Sequence, residues 1–222
     1  MSADETLLLF IDRDGGFESW LRLGEGGVAA RGEGLAGMPP LVDPGSGELA
    51  RLAVAVPAEK VAIHWLEVPT GLAPAQSVAA ARLAAADLTA QPLAEMHVAV
   101  GRESDADESR CIAIVPHILM TDWLERCQAE GLDPDLMLPE PLLILPPAEG
   151  FTRCDRHGPP LYRGPKDAFA IEPELAGVVT GDAPVETIGR GQFESGLPRA
   201  RAPAPRQLRQ GAVAQPRPVN GA

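Results

Sequence analysis

The chain has 222 residues, 45% of them hydrophobic but only 4% aromatic, and a formal net charge of −12. That length holds one large domain or two small lobes, with a core built from Leu, Val, Ile and Ala rather than from rings. The five arginines that follow Gly196 leave 14 basic against 31 acidic residues in 1–195, a net of −17 that repels phosphate backbones and excludes a nucleic-acid binder.

Two further classes fall away. The start MSADETLLLF carries acids where a secretory signal carries basic residues. No apolar run approaches the ~20 residues needed to cross a bilayer, so the body reads as soluble. Cys111, Cys127 and Cys154 are scattered and odd in number, which points to a reducing compartment and not to a disulfide framework.

In chain order, Leu7–Ile11 (LLLFI) reads as a strand entering the turn Asp12-Arg13-Asp14-Gly15-Gly16. Glu18–Gly24 and Gly26–Arg31 read as the second and third strands, Gly34–Gly47 as loop or short helix, and Leu52–Val56 and Val61–Val68 as two more strands. Pro74 suits the first turn of a helix running to Ala90. Its inner face carries Val78, Ala81, Ala85 and Leu88, and Gln76, Arg82, Asp87 and Thr89 point outward. The apolar runs His97–Val100 and Cys111–Val115 flank polar Arg102–Arg110 as a loose hairpin. A helix over Pro116–Glu130 follows, because Met120, Trp123, Leu124 and Cys127 fall on one face. Gly131 stands where a left-handed residue closes that helix, Leu132 folds back on its last turn, and Pro134 ends the helical option.

The strand–strand–helix theme of Leu52–Ala90 thus recurs in His97–Glu130, which predicts a two-lobed body over 1–195 with a lobe boundary near 91–95. From Gly196 the composition turns to Pro, Ala, Arg and Gln without apolar periodicity, so 196–222 reads as a disordered linker. Its basic charge has two readings: solubility, or attraction to an anionic membrane surface at about 1 kcal/mol per Arg.

The phrase AEGLDPDLMLPEPLLILP (Ala129–Pro146) resembles the cytoplasmic domain of the type II secretion system protein L family, whose helix ends in Ala-x-Gly-Leu-x-Pro-Asp before a proline-flanked strand. LAVAVP (Leu52–Pro57), VAIHWLEVP (Val61–Pro69), the Ala-rich helix near Ala75–Ala90, EMHVAVG and LYRGPKDAFAIEP (Leu161–Pro173) are similar to further family segments in the same order. One departure is Ala85-Ala86-Asp87, where the family has Leu-Glu-Asp. The resemblance implies an α/β body of the ribonuclease H-like, actin-like ATPase fold, two-lobed with mixed sheets flanked by helices. It implies a non-catalytic scaffold at the cytoplasmic face of the inner membrane, attached by a membrane segment outside this chain. The implied partners are the cytoplasmic secretion ATPase (protein E), the bitopic protein M and the platform protein F, with self-dimerisation as a further option.

Catalytic chemistry has one candidate. Actin-like ATPases and kinases bind phosphate through a glycine-rich hairpin after the first strand, and Asp12–Gly16 has the acid and glycines for it. Asp-Gly-Gly is equally an ordinary hairpin turn. A working site also needs a second Asp-x-Gly hairpin, for which Asp155–Gly158 (DRHG) and Thr180–Asp182 are poor matches. His64 and His97 read as strand residues with one polar contact, His117 as solvating a helix start, and Trp65 and Trp123 as core anchors. Cys154 and His157 alone make too few ligands for a metal. No catalytic, cofactor or metal residue is assigned. The exposed charges Arg82 and Asp87 are taken as the partner contact.

Overall fold

A computed structural model describes residues 5–42, 49–103, 109–200 and 208. Residues 104–108 of the polar Arg102–Arg110 segment, the end of the Gly34–Gly47 loop, and the tail at 201–207 and 209–222 lie outside the described residues.

The first sheet begins with β1 (Thr6–Ile11), β2 (Phe17–Gly24) and β3 (Gly27–Glu33), an antiparallel meander. β4 (Arg51–Val56) then pairs parallel to β1. Both strands are apolar in almost every position because both sheet faces are covered, as central parallel strands require. Leu7, Leu9, Ile11, Leu52, Val54 and Val56 enter one core cluster, and Leu8, Phe10, Ala53 and Ala55 another on the opposite face.

Next come β5 (Ala62–Glu67), α1 (Pro74–Ala84), β6 (Met96–Val100) and β7 (Ser109–Pro116). Their strands form a separate three-stranded sheet in the order β5-β7-β6. The buried face of α1 is Ser77, Ala81 and Ala85, small enough to lie close over Val98, Ile112 and Ile114. α1 ends at Ala84 and only a 3-10 turn over Ala86–Leu88 follows, so the expected continuation to Ala90 is shortened. Leu88, expected on the inner face, is exposed.

α2 (His117–Ala129) buries Met120, Trp123 and Cys127, as the spacing predicts. It closes in a Schellman arrangement: Gly131 has φ +70, its N–H donates to the Gln128 carbonyl, and Leu132 N–H donates to the Cys127 carbonyl. β8 (Leu136–Pro139) then completes the first sheet in the order β3-β2-β1-β4-β8.

The last part holds β9 (Phe151–Cys154), β10 (Leu161–Arg163), β11 (Ala168–Ala170), α3 (Pro173–Thr180), β12 (Val185–Ile188) and α4 (Arg190–Ala200). Its sheet order, β11-β10-β9-β12, repeats β3-β2-β1-β4, again with an antiparallel meander and a parallel fourth strand. A ribonuclease H-like unit used twice is the actin-like plan expected of the chain.

Three expectations change. The duplication lies between the Thr6–Pro139 and Phe151–Ile188 sheets, not between Leu52–Ala90 and His97–Glu130, because β5 and β7 pair with each other across 91–95. A lobe boundary near 91–95 would therefore cut a single sheet. Leu161–Pro173, which by its resemblance stands for a single Arg-Gly plus aromatic strand of the family, is a hairpin of two strands joined at Gly164–Asp167 and continues into α3. The linker expected from Gly196 begins inside α4, whose Leu197 is buried, and Leu208 is fully buried.

Candidate functional site

The duplication carries a sequence repeat at its most informative point. After β1 stands Asp12-Arg13-Asp14-Gly15, and after β9 stands Asp155-Arg156-His157-Gly158. Both glycines have positive φ, +86 at Gly15 and +94 at Gly158, so each turn uses the left-handed residue a tight hairpin needs. The turns lie side by side: a Cβ on Gly158 would sit 3.7 Å from Arg13 Nη2. Asp155–Gly158, a poor match on its own, is thus the structural counterpart of Asp12–Gly15. The repeated Asp-Arg-x-Gly was the signal that pairs them.

The first turn consumes its own amides. Asp12 Oδ1 accepts from Asp14 N–H at 2.8 Å and from Gly16 N–H at 2.9 Å. Gly15 N–H donates to the Asp12 carbonyl and Asp12 N–H to the Gly16 carbonyl. A phosphate-binding loop offers such amides outward to an anion; here the aspartate carboxylate already holds two of them. The Arg126 side chain lies over Gly15, 3.0 Å from where a Cβ would stand, and is paired with Asp122. Arg13 pairs with Glu59 at 3.3 Å.

The second turn is filled by Arg156. Its guanidinium reaches Glu18 and Glu140, each at 3.2 Å, and stands 3.9 Å from the centre of the Phe10 ring. His157 leans on the same Glu18 at 3.4 Å. Two carboxylates share one arginine, and Glu140 is buried. Burial pushes its carboxyl up to about 7, against the opposing pull of Arg156, so Glu140 titrates near neutrality.

A cavity of about 600 Å³ opens beside this cluster, walled by β2, β3, the Asp155–His157 turn and α4. Its three arginines each face a carboxylate within 3.2 Å: Arg156 faces Glu18 and Glu140, while Arg31 and Arg190 share Glu194. Mixed, paired charge of this kind gives a triphosphate little to bind. It suits hydrogen bonding to another protein's polar side chains.

The remaining sequence candidates are dispersed. Among the described residues no group of three His, Cys, Asp or Glu is placed to hold a metal ion. Burial pushes the Cys154 thiol up to about 11, which makes it a poor ligand, and His157 points to Glu18 instead. His64 is half-buried on β5, and burial holds its pKa below the usual histidine value. His97 is buried on β6 and meets the Leu208 carbonyl, while the His117 ring stands edge-on to it at 5.8 Å. Trp123 is a core anchor, but Trp65 is half-buried beneath the Arg163 guanidinium, 4.7 Å from the ring centre.

Arg82 is not the free charge expected of it. Half-buried, it donates to the Met96 carbonyl at 2.8 Å and the Leu93 carbonyl at 2.6 Å, tying α1 to the start of β6. Asp87 is exposed, as expected.

The comparisons with known proteins agree with this architecture. The chain is similar to the cytoplasmic domain of EpsL, an inner membrane component of the type II secretion system of Vibrio cholerae. The two share 17% identity over 94% of this chain and 99% of the other, with a TM-score of 0.71. It is also similar to a chain of the PilM–PilN type IV pilus biogenesis complex, at 14% identity over 78% of this chain and 63% of that one, with a TM-score of 0.50. At such identities these likenesses speak for the fold. No curated protein matches the chain. Among the described residues no helix is long and apolar enough to cross a membrane. The family model for type II secretion system (T2SS), protein L, matches residues 46–168, more than half of the sequence, and the chain belongs to that family.

Proposed function

We propose that this domain works by binding proteins and not by nucleotide chemistry. On this reading it is the cytoplasmic part of an inner-membrane scaffold that recruits the secretion ATPase (protein E). Protein M and platform protein F are its further partners. The observation that carries the reading is the state of the paired turns. The amides of Asp14 and Gly16 are taken by Asp12, and the arginine of the second turn, Arg156, is already paired with Glu18 and Glu140. The acidic body, net −17 over 1–195, adds a general repulsion towards ATP.

Titrating the N-terminal region of the secretion ATPase into this chain tests the reading by calorimetry. Binding at micromolar or tighter Kd, unchanged when magnesium-ATP is added, is expected; no binding at 100 μM overturns recruitment. The proposed contact keeps the exposed Asp87 end of α1, where Asp87→Lys weakens binding.

A second reading has one observation on its side. The fold brings two Asp-Arg-x-Gly turns together, as an actin-like ATPase or kinase using Asp12–Gly16 requires. Nucleotide binding separates the two readings.

A further inference from the structure

Leu208 is buried to zero exposure although it lies 12 residues beyond Gly196 in a stretch of Pro, Ala, Arg and Gln. Its side chain joins the core cluster that includes Trp123, Met137 and Val54. Its backbone is held at both ends. The N–H donates to the Met137 carbonyl at 2.8 Å, and the carbonyl accepts from His97 Nε2 at 2.5 Å. A carbonyl can only accept, so the hydrogen of the His97 ring sits on Nε2.

The two partners belong to different sheets. Met137 is on β8, the terminal strand of the five-stranded sheet, and His97 is on β6, the terminal strand of the three-stranded one. A terminal strand presents backbone groups with no neighbouring strand, and such an edge accepts an added extended segment. One residue thus bonds to the backbone of β8 through its N–H and to a side chain of β6, the His97 ring, through its carbonyl. The sequence supports the same picture: Leu197 and Leu208 are the only leucines in 196–222, and both are buried.

We propose that the groove between β6 and β8 is a docking site for a leucine held by its side chain and its backbone, and that its occupant is this chain's own Leu208. The residue acts as a strap. It fastens the inserted three-stranded sheet to the main sheet by tying β6 to β8. This inference is independent of which protein the body recruits.

Amide hydrogen exchange on the full chain, resolved by residue, tests it. The Leu208 amide should exchange at least a hundredfold more slowly than an unstructured amide. Leu208→Met should keep the protection. His97→Ala should weaken it at least fivefold, and Leu208→Asp should abolish it at that position, with the Val54 amide unaffected in both. If Leu208→Asp loosens Val54 as well, His97→Ala decides, since it removes one hydrogen bond and leaves the leucine in place. Exchange of Leu208 at the unstructured rate in the wild type overturns the strap, as does protection that survives both His97→Ala and Leu208→Asp. Protection that disappears on dilution together with a dimer assigns the groove to a second copy's segment and overturns the assignment in cis.

Discussion

Arg156 places its guanidinium 3.9 Å from the centre of the Phe10 ring, so the turn after β9 is stacked directly on the first strand of the other half of the duplication. The contact joins the two ribonuclease H-like units with a cation on a ring, worth about 2 kcal/mol when desolvated. Glu140, beside it, titrates high because it is buried, while Arg156, shared with Glu18, pulls its pKa the other way.

The pH consequence has a definite sign. Folding raises the Glu140 pKa from 4.5 to about 7, so between those values the folded state holds the proton more tightly than the unfolded one. This group's contribution is fully present below 4.5 and is lost as pH rises through 7. Urea unfolding at pH 5 and pH 8 should therefore show the wild type losing stability relative to Glu140→Gln, by on the order of 2 kcal/mol. Equal pH slopes in the two proteins would contradict the account of the Glu18–Arg156–Glu140 cluster.

Arg82 and Asp87 separate a structural charge from a surface one. Arg82→Glu strands the Leu93 and Met96 carbonyls and should cost about 1–3 kcal/mol. Asp87→Lys should stay within about 0.5 kcal/mol. Chemical denaturation of both variants checks the difference, and a partner-binding experiment on α1 should use Asp87 alone.

Two glycines test backbone strain with and without a clash. Gly131 has φ +70 with open space around its missing Cβ, so Gly131→Ala should cost about 1–2 kcal/mol from the left-handed conformation. Gly150 has φ +65, and a Cβ there would run into the Pro184 carbonyl oxygen, which also accepts from Phe151 N–H. Gly150→Ala should therefore cost more than Gly131→Ala in the same urea titration.

What was legible in the sequence follows from where the signal is local. α2 and its closure were readable because Met120, Trp123 and Cys127 keep helical spacing and Gly131 marks the stop. β1 and β4 were readable as continuous apolar runs. Which strand pairs with which was not, since the periodicity of β5 and β7 is the same whether they lie in one lobe or two. α4 escaped because Gly191, Gly196 and Pro198 are poor helix residues; burial of Phe193 and Leu197 against the main sheet outweighs them. β9 and β12, four residues each, are too short to carry a period. Arg82 points outward on a helical wheel, but its long stem brings the guanidinium back to the β6 backbone.

The central claim is that the paired turns are closed to a nucleotide. Thermal unfolding of the whole chain, with and without millimolar magnesium-ATP, tests it most directly. Ligand at a hundred times its Kd would stabilise the fold by about 2.7 kcal/mol, a rise of about 5–10 °C for a chain this long. The account predicts no shift. A rise of that size, abolished by Asp12→Ala or Asp14→Ala, would contradict it and establish the turns as a working phosphate site.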